Sequence, residues 1–182
     1  GDGQKALLVP DGNGLNAFSM TDGAKLVCGE HSAPPNGPNP VLFFDSGNGP
    51  AWLMFTNTTV HRLEVQASET CASGLGFKSV WQFTAASPIN LTGSSIFRDD
   101  MGRAQSFYFN MQNQGGDPSV WALDLSDGSL SEHFPGETLL SLVSSANTPT
   151  TYALIQKQLN DGSEAVFFYR SAVDGWQNTG SV

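Results

Sequence analysis

Short runs of β-forming residues separated by Asp-Gly turns constrain the fold of this chain more than any other feature. The clearest case is Asn160-Asp161-Gly162, a tight turn between the apolar runs 152–155 and 166–169. Asn, Asp and Gly tolerate the backbone angles that tight hairpins need, so this pattern is a strong hairpin signal. Upstream, segment 134–140 joins an aromatic-Pro-Gly turn to an apolar run. Both segments predict strands connected by tight turns.

The same alternation continues along the chain, and helical periodicity is nearly absent. It predicts an all-β barrel or sandwich. The best helix candidate is a short turn within 138–146, which is equally compatible with a strand. Segments 15–23 and 120–128 share a strand–Asp-Gly–strand shape, which keeps a β-propeller open as an alternative. A Pro/Asn/Gly-rich linker spans 34–40. The predicted strands lie near 5–9, 15–20, 24–28, 41–45, 51–56, 60–66, 78–85, 94–98, 105–111, 119–125, 138–143, 151–157, 164–170 and 174–178.

The charge balance excludes two classes of partner. Of 182 residues, 8 are Lys or Arg and 17 are Asp or Glu, which gives a net charge of −9. Nucleic acids and anionic membranes are bound by clustered basic residues, so neither is expected as a partner. No apolar run is long enough for membrane insertion. A mostly neutral polar surface suits sugars or proteins.

No cofactor or metal is predicted. Cys28 and Cys71 are the two cysteines and allow one disulfide, which the sequence does not decide. Cys28 and His31 are one weak pair for a metal, and the Gly-rich turns lack the ligand ladder of a calcium loop. The chain is also not expected to be an enzyme, because His31, His61 and His133 each stand alone and no serine lies in a Gly-x-Ser-x-Gly elbow.

The four tryptophans differ in their sequence surroundings. Trp81 and Trp121 lie inside strand runs and are predicted to be core residues. Trp52 and Trp176 follow turns and are predicted to be partly exposed, with a role in an interface or in the core favoured over stacking on a sugar.

Five segments, in their common order, resemble the protruding domain of calicivirus major capsid proteins, especially the norovirus type. The segment 13–29 looks like the family's Asn-Gly, Thr-x-Asp-Gly and Leu-x-Gly series, and 98–104 is similar to an Arg-x-Asp-Gly loop followed by Arg. Segments 121–125 and 134–140 look like a strand and the Phe-Pro-Gly-Glu-x-Leu-Leu return. Segment 153–176 resembles the hairpin that follows.

The resemblance implies a β-barrel stem, formed by residues 1–30 and 135–182, with an inserted distal β-barrel at 31–134. The chain is shorter than a complete protruding domain, so closing strands of the stem are expected to be missing. The implied function is host-cell attachment through a glycan or protein receptor. Homodimerisation, recognition by neutralising antibodies, and location on the virion surface, or in the host cytoplasm during assembly, are implied with it.

The candidate glycan site implied by the resemblance consists of Arg98, Asp99, Asp100, Arg103 and Asp117. An arginine fork donates and a carboxylate accepts, which suits vicinal sugar hydroxyls, and a similar loop helps hold a fucose in the family. The alternative for 98–103 is an ordinary charged turn, and for Asp117 it is an Asx turn. The alternative function is a secreted or cell-surface β-propeller lectin or scaffold, for which a regular blade period would be the sign.

Overall fold

The computed structural model describes residues 5–11, 14–29, 41–46, 49–99, 101–144, 150–172 and 175–182. These residues form fifteen β-strands and no helix, which confirms the predicted all-β class. The chain divides into two compact units, Gly1–Thr84 and Ala85–Val182. The predicted linker at 34–40 lies outside the described residues.

The strands of the first unit form one sheet. In this sheet the third strand joins the seventh through a short parallel contact, in which Cys28 pairs with Gly76 and Gly29 with Phe77; the other neighbours are antiparallel. The strands are β1 (Ala6–Asp11), β2 (Gly14–Ser19), β3 (Lys25–Gly29), β4 (Val41–Asp45), β5 (Pro50–Phe55), β6 (Thr59–Ala67) and β7 (Leu75–Thr84). Their spatial order is β1-β2-β3-β7-β6-β5-β4.

The core of the first unit is apolar and is reinforced by a disulfide. Leu15, Leu63 and Phe77 are at the centre of a buried cluster to which β2, β6 and β7 contribute. The disulfide joins Cys28 of β3 to Cys71, in the turn before β7, and so resolves the pairing that the sequence left open. It closes the chain over a separation of 43 residues.

The second unit contains two sheets of four strands, each running antiparallel in chain order. The first sheet has β8 (Asn90–Arg98), β9 (Ala104–Gln112), β10 (Pro118–Asp124) and β11 (Leu130–Pro135); the second has β12 (Glu137–Ser144), β13 (Thr151–Gln158), β14 (Glu164–Ala172) and β15 (Gly175–Ser181). In β13, Ala153 and Ile155 are buried, whereas the alternating Tyr152 is exposed, as expected for a strand with one face in a core.

The two sheets of the second unit pack face to face. Their shared core includes Tyr108 and Val120 from the first sheet and Leu139, Ala153 and Ile155 from the second. The rings of Phe97, Phe134, Tyr169 and Trp176 extend this core as an aromatic cluster.

A buried asparagine and a glycine bring β8 and β12 together. The side-chain Nδ2 of Asn110 donates to the carbonyl oxygens of Thr92 and Leu139, both at 2.9 Å, and its Oδ1 accepts from Leu139 N–H at 2.7 Å. At Gly93, a Cβ atom would lie 2.6 Å from the carbonyl oxygens of Leu139 and Leu140. Glycine is therefore required where the two backbones approach.

The Asp-Gly turns follow the predicted pattern, and the two similar segments use the same turn. In each, a glycine with φ near +75° takes the left-handed conformation that glycine adopts without strain, at Gly23 (+72°) and Gly128 (+76°). The matching backbone bonds, all donated by N–H groups, are Ser19 to Ala24 O at 2.8 Å, Gly23 to Ser19 O at 3.0 Å, Asp124 to Ser129 O at 2.8 Å and Gly128 to Asp124 O at 3.0 Å.

One strand was not predicted, and the described part of segment 138–146 is a strand. The missed strand is β11, which lies at the edge of its sheet and pairs only with β10. Its side chains are mostly polar and exposed, and Pro135 has no N–H to donate, so neither alternation nor composition marks it as a strand. Segment 138–144 belongs to β12.

The tryptophan predictions are half correct. Trp52 and Trp176 are partly exposed, as predicted, but Trp81 and Trp121 are half-buried rather than core residues. The indole of Trp121 keeps its N–H bonded to the carbonyl of Met111 at 3.2 Å. A large indole with a polar N–H is seldom fully buried even within a strand.

The finer prediction, a stem with an inserted distal barrel, stays a prediction.

Candidate functional site

The hairpin loop between β8 and β9 holds most of the predicted glycan site. Asp99 N–H donates to Arg103 O at 2.9 Å, and Gly102 N–H donates to Asp99 O at 2.9 Å. Gly102 has φ +77°, the left-handed geometry that closes the turn. Asp100 lies outside the described residues. The loop thus brings Arg98, Asp99 and Arg103 together.

The Asp99 carboxylate is occupied within the loop. Its Oδ1 accepts from the N–H groups of Met101 at 3.0 Å and Arg103 at 2.8 Å. Its Oδ2 accepts from Arg103 Nε at 2.8 Å and Gln105 Nε2 at 3.0 Å, and Arg103 Nη2 lies 2.8 Å away in an ion pair. Burial is the largest single influence on Asp99 and raises its pKa. The hydrogen bonds from Arg103 and Met101 together outweigh burial, so the pKa of Asp99 lies below its ordinary value of 3.8. Asp99 is therefore the acceptor that organises this loop.

The two arginines supply the remaining donors of the loop. Arg98 uses one Nη1 bond, to Gly102 O at 3.0 Å, and Arg103 uses Nε and Nη2 on Asp99. A guanidinium carries five N–H donors, so each arginine retains donors for another group. The Arg103 side chain is 56% exposed, so a ligand can reach its remaining N–H donors.

Asp117 does not join this group. It lies in the turn between β9 and β10, where its own N–H donates to Asn113 Oδ1 at 3.1 Å and its carbonyl accepts from Asn113 N–H at 2.9 Å. The loop at 99–103 is at the opposite end of the nine-residue β9, about 30 Å away along an extended strand. The asparagine, rather than Asp117, forms the Asx turn.

Gln105 was missed by the sequence reasoning. It lies two residues after Arg103, and residues two apart share one face of a strand. Arg103 and Gln105 both donate to Asp99 Oδ2. The alternation of side chains along the strand was therefore the signal that could have identified Gln105.

The histidines do not form a recognisable catalytic group within the described part of the chain. His61 is buried, and His31 is outside the described residues. His133 Nε2 lies 3.1 Å from Ser131 Oγ, its ring is 5.2 Å from that of Tyr108, and burial lowers its pKa below 6.5. A serine–histidine contact resembles half of a nucleophile–base pair, but no carboxylate in the described residues is bonded to His133 to orient its ring.

The described residues contain neither a metal-binding cluster nor a membrane-spanning helix. No group of three or more His, Cys, Asp or Glu side chains in them could hold a metal ion. No helix among them could cross a membrane.

Comparisons with protein-family models, with curated proteins and with solved structures found no match to this chain.

Proposed function

We propose that this chain is a non-enzymatic recognition module made of repeated four-stranded sheets, of the class represented by β-propeller lectins and scaffolds. The observation that carries the proposal is the strand order. The groups β4–β7, β8–β11 and β12–β15 are each four consecutive antiparallel strands. Their first strands begin at residues 41, 90 and 137, so the repeat lengths are 49 and 47 residues. Repeats of about 40–50 residues with four strands are typical of propeller blades.

The packing within the second unit supports the same class. Its two sheets meet face to face through an apolar core, and their first strands approach at Gly93. A repeat of this kind cannot bury its apolar face alone and is stabilised by stacking on its neighbour.

The ligand class that the β8–β9 loop fits best is a neutral glycan. Asp99 is already saturated, so the sugar-facing groups are the arginine donors, with hydroxyl oxygens of the sugar as acceptors. The charge of Arg103 is offset by its ion pair with Asp99, and Arg98 bonds to the carbonyl oxygen of Gly102 in the same loop. Such a loop is less suited to a strongly anionic ligand, which is bound by uncompensated basic clusters.

Saturation-transfer NMR against a panel of neutral glycans tests this role. Arg98→Ala should abolish or greatly weaken the transfer signal, because it removes a donor without removing the Asp99–Arg103 pair. Arg170→Ala is the control, since Arg170 is an exposed arginine on β14 that bonds to Gln177 at 3.2 Å. Equal signals from Arg98→Ala and the wild type, with a folded variant, would refute the site.

The second candidate is host-cell attachment by a calicivirus-like protruding domain, in which many weak sites on one particle give avidity. The exposed arginine of the β8–β9 loop favours it, together with the order of motifs that carries the resemblance. The stem of such a domain, formed by residues 1–30 and 135–182, requires strands from these two segments to share a sheet. We favour the repeat because β1–β3 share a sheet with β4–β7, whereas β12–β15 form a separate sheet.

A further inference from the structure

Two asparagines of this chain are each followed, two positions later, by a threonine, with no proline in between. The segments are 57–59 (Asn-Thr-Thr), in the turn between β5 and β6, and 90–92 (Asn-Leu-Thr), at the start of β8. The Asn-x-Thr pattern is the acceptor for N-linked glycosylation, which occurs at the surface of secreted proteins. The pattern therefore carries this meaning where the asparagine is exposed and the chain folds in a suitable compartment.

The first asparagine lies at the tip of a short hairpin. β5 ends at Phe55 and β6 begins at Thr59, and Asn57 is exposed in the turn that joins them. The turn is closed by a neighbouring side chain, because Thr56 Oγ1 accepts from the N–H groups of Thr59 at 2.9 Å and Thr58 at 3.4 Å. A sugar on Asn57 would therefore leave these bonds intact.

The second asparagine holds its carboxamide in a local turn. Asn90 is exposed, and its Oδ1 accepts from Thr92 N–H at 2.9 Å. An N-linked sugar is attached to the amide nitrogen, so the oxygen can keep this bond after modification. Asn90 and Arg98 are the first and last residues of the nine-residue β8, roughly 25 Å apart along an extended strand. A glycan on Asn90 would thus be remote from the β8–β9 loop.

The disulfide is an independent observation that bears on the compartment. The two cysteines of the chain, Cys28 and Cys71, are joined to each other. Disulfides form and persist in the lumen of the endoplasmic reticulum and outside the cell, whereas cytosolic thiols are kept reduced. The transfer of N-linked glycans to asparagine takes place in that same lumen. The exposed acceptor segments and the disulfide therefore indicate the same route of folding.

We propose that Asn57 and Asn90 are N-glycosylation sites, modified as the chain folds in an oxidising secretory compartment. The co-substrate is an oligosaccharide joined to a lipid diphosphate. The amide nitrogen bonds to the anomeric carbon of the sugar, and the bond between that carbon and the diphosphate oxygen breaks. The lipid diphosphate leaves with the electron pair, a base of the transferase takes one proton from the amide nitrogen, and nothing is oxidised or reduced.

Secretion of the full chain from cultured animal cells, followed by intact-mass analysis with and without peptide-N-glycosidase, tests the proposal. The wild type should carry a glycan at each site, and Asn57→Gln and Asn90→Gln should each remove one of them. Enzymatic release converts a glycosylated asparagine to aspartate, so peptide mass spectra identify the sites. A wild type without glycans overturns the proposal, and an unmodified asparagine at one site overturns it for that site.

Asn178 is the matched negative control within the same chain. It is exposed, and its Oδ1 accepts from Gly180 N–H at 2.9 Å in the same way that Asn90 accepts from Thr92, but its threonine follows at the next position. It should stay unmodified, and a glycan on it would overturn the assignment to Asn-x-Thr. Thr58→Ala changes only the middle residue of the first segment and should retain its glycan.

The proposal goes beyond the glycan-binding role and does not depend on it. Saturation-transfer NMR on the chain after enzymatic removal of its glycans reads out the β8–β9 loop separately. Binding by that loop should be unchanged, because Asn90 is at the opposite end of β8. Loss of binding on Arg98→Ala and loss of glycans on Asn57→Gln or Asn90→Gln are different readouts, so failure of either proposal is recognised without the other.

Discussion

At the scale of single residues, the Asp99 carboxylate organises the loop between β8 and β9 by accepting hydrogen bonds from Met101, Arg103 and Gln105. The run Arg98-Asp99-Asp100-Met101-Gly102-Arg103 predicts a charged turn, and the described residues of the run form one. It does not predict which groups remain free. Sequence order cannot show that Arg103 and Gln105 fold back onto Asp99, because those bonds depend on the register of the hairpin. Asp99, which the sequence suggests as an acceptor for a ligand, therefore accepts hydrogen bonds from its own hairpin instead.

Replacing Asp99 with Asn should destabilise this hairpin. An amide accepts through one oxygen only, so it cannot replace both carboxylate oxygens, and we expect Tm to fall by a few degrees. Asp117→Asn is the matched control and should leave Tm nearly unchanged. Thermal melts followed by circular dichroism give the comparison. If both variants melt like the wild type, the Asp99 bonds do not support the loop.

The effect of Asp99→Asn should also depend on pH. The pKa of Asp99 is lowered in the folded chain, so its ionised form contributes stability above the unfolded value near 3.8, and this contribution is lost as the pH falls through the folded pKa. The difference in Tm between the wild type and Asp99→Asn should therefore shrink in acid. A difference that grows in acid would contradict this sign.

Asn110→Ala should be among the more destabilising single changes in the second unit. It leaves the backbone groups of Leu139 and Thr92 without their side-chain partner in a buried position, at a cost of about 3 kcal/mol. Urea unfolding measures this free energy. Asn90→Ala is the control, because Asn90 is exposed and accepts only from the nearby Thr92 N–H at 2.9 Å, so its loss should cost about 0.5–1 kcal/mol.

At the scale of elements, turn chemistry predicted the all-β class and the positions of the strands well. Fourteen of the fifteen described strands were expected near their observed positions, because Asp-Gly and Asn-Asp-Gly turns mark where strands end. The exception, β11, is an edge strand defined by pairing with β10 and not by its own residues. The faces that pack were not predictable, since β8 and β12 contain irregularities that shift the alternation of their side chains.

Gly93→Ala tests the close approach of β8 and β12. The new Cβ would meet two backbone carbonyls at 2.6 Å, in addition to the strain of a non-glycine residue at φ +72°. We expect a loss of about 3 kcal/mol or more in the free energy of unfolding. Gly162→Ala is the control: it has φ +83° with nothing within 4 Å of its Cβ, so it should cost about 1 kcal/mol. Equal losses would show that the strands do not approach at Gly93.

At the scale of the whole molecule, the disulfide belongs to one unit only. Cys28 and Cys71 both lie within Gly1–Thr84, and closing this loop should stabilise the chain by about 2–4 kcal/mol. Reduction should therefore lower hydrogen-exchange protection mainly in β3, β6 and β7. Cys28→Ser/Cys71→Ser should reproduce this pattern in the absence of reductant. Equal loss of protection in β12–β15 would contradict a local role for the disulfide.

Cross-strand Hα–Hα and amide NOEs test whether β4–β7, β8–β11 and β12–β15 are three repeats of four antiparallel strands, with β1–β3 added to the sheet of the first repeat. This arrangement predicts NOEs between β12 and β13 and along β8–β11, with β1–β3 connected to β7 through the pairing of Cys28 with Gly76. It predicts none between strands of residues 1–30 and strands of residues 135–182. Cross-strand NOEs joining those two segments in one sheet would contradict the repeat and favour the stem of a capsid protruding domain.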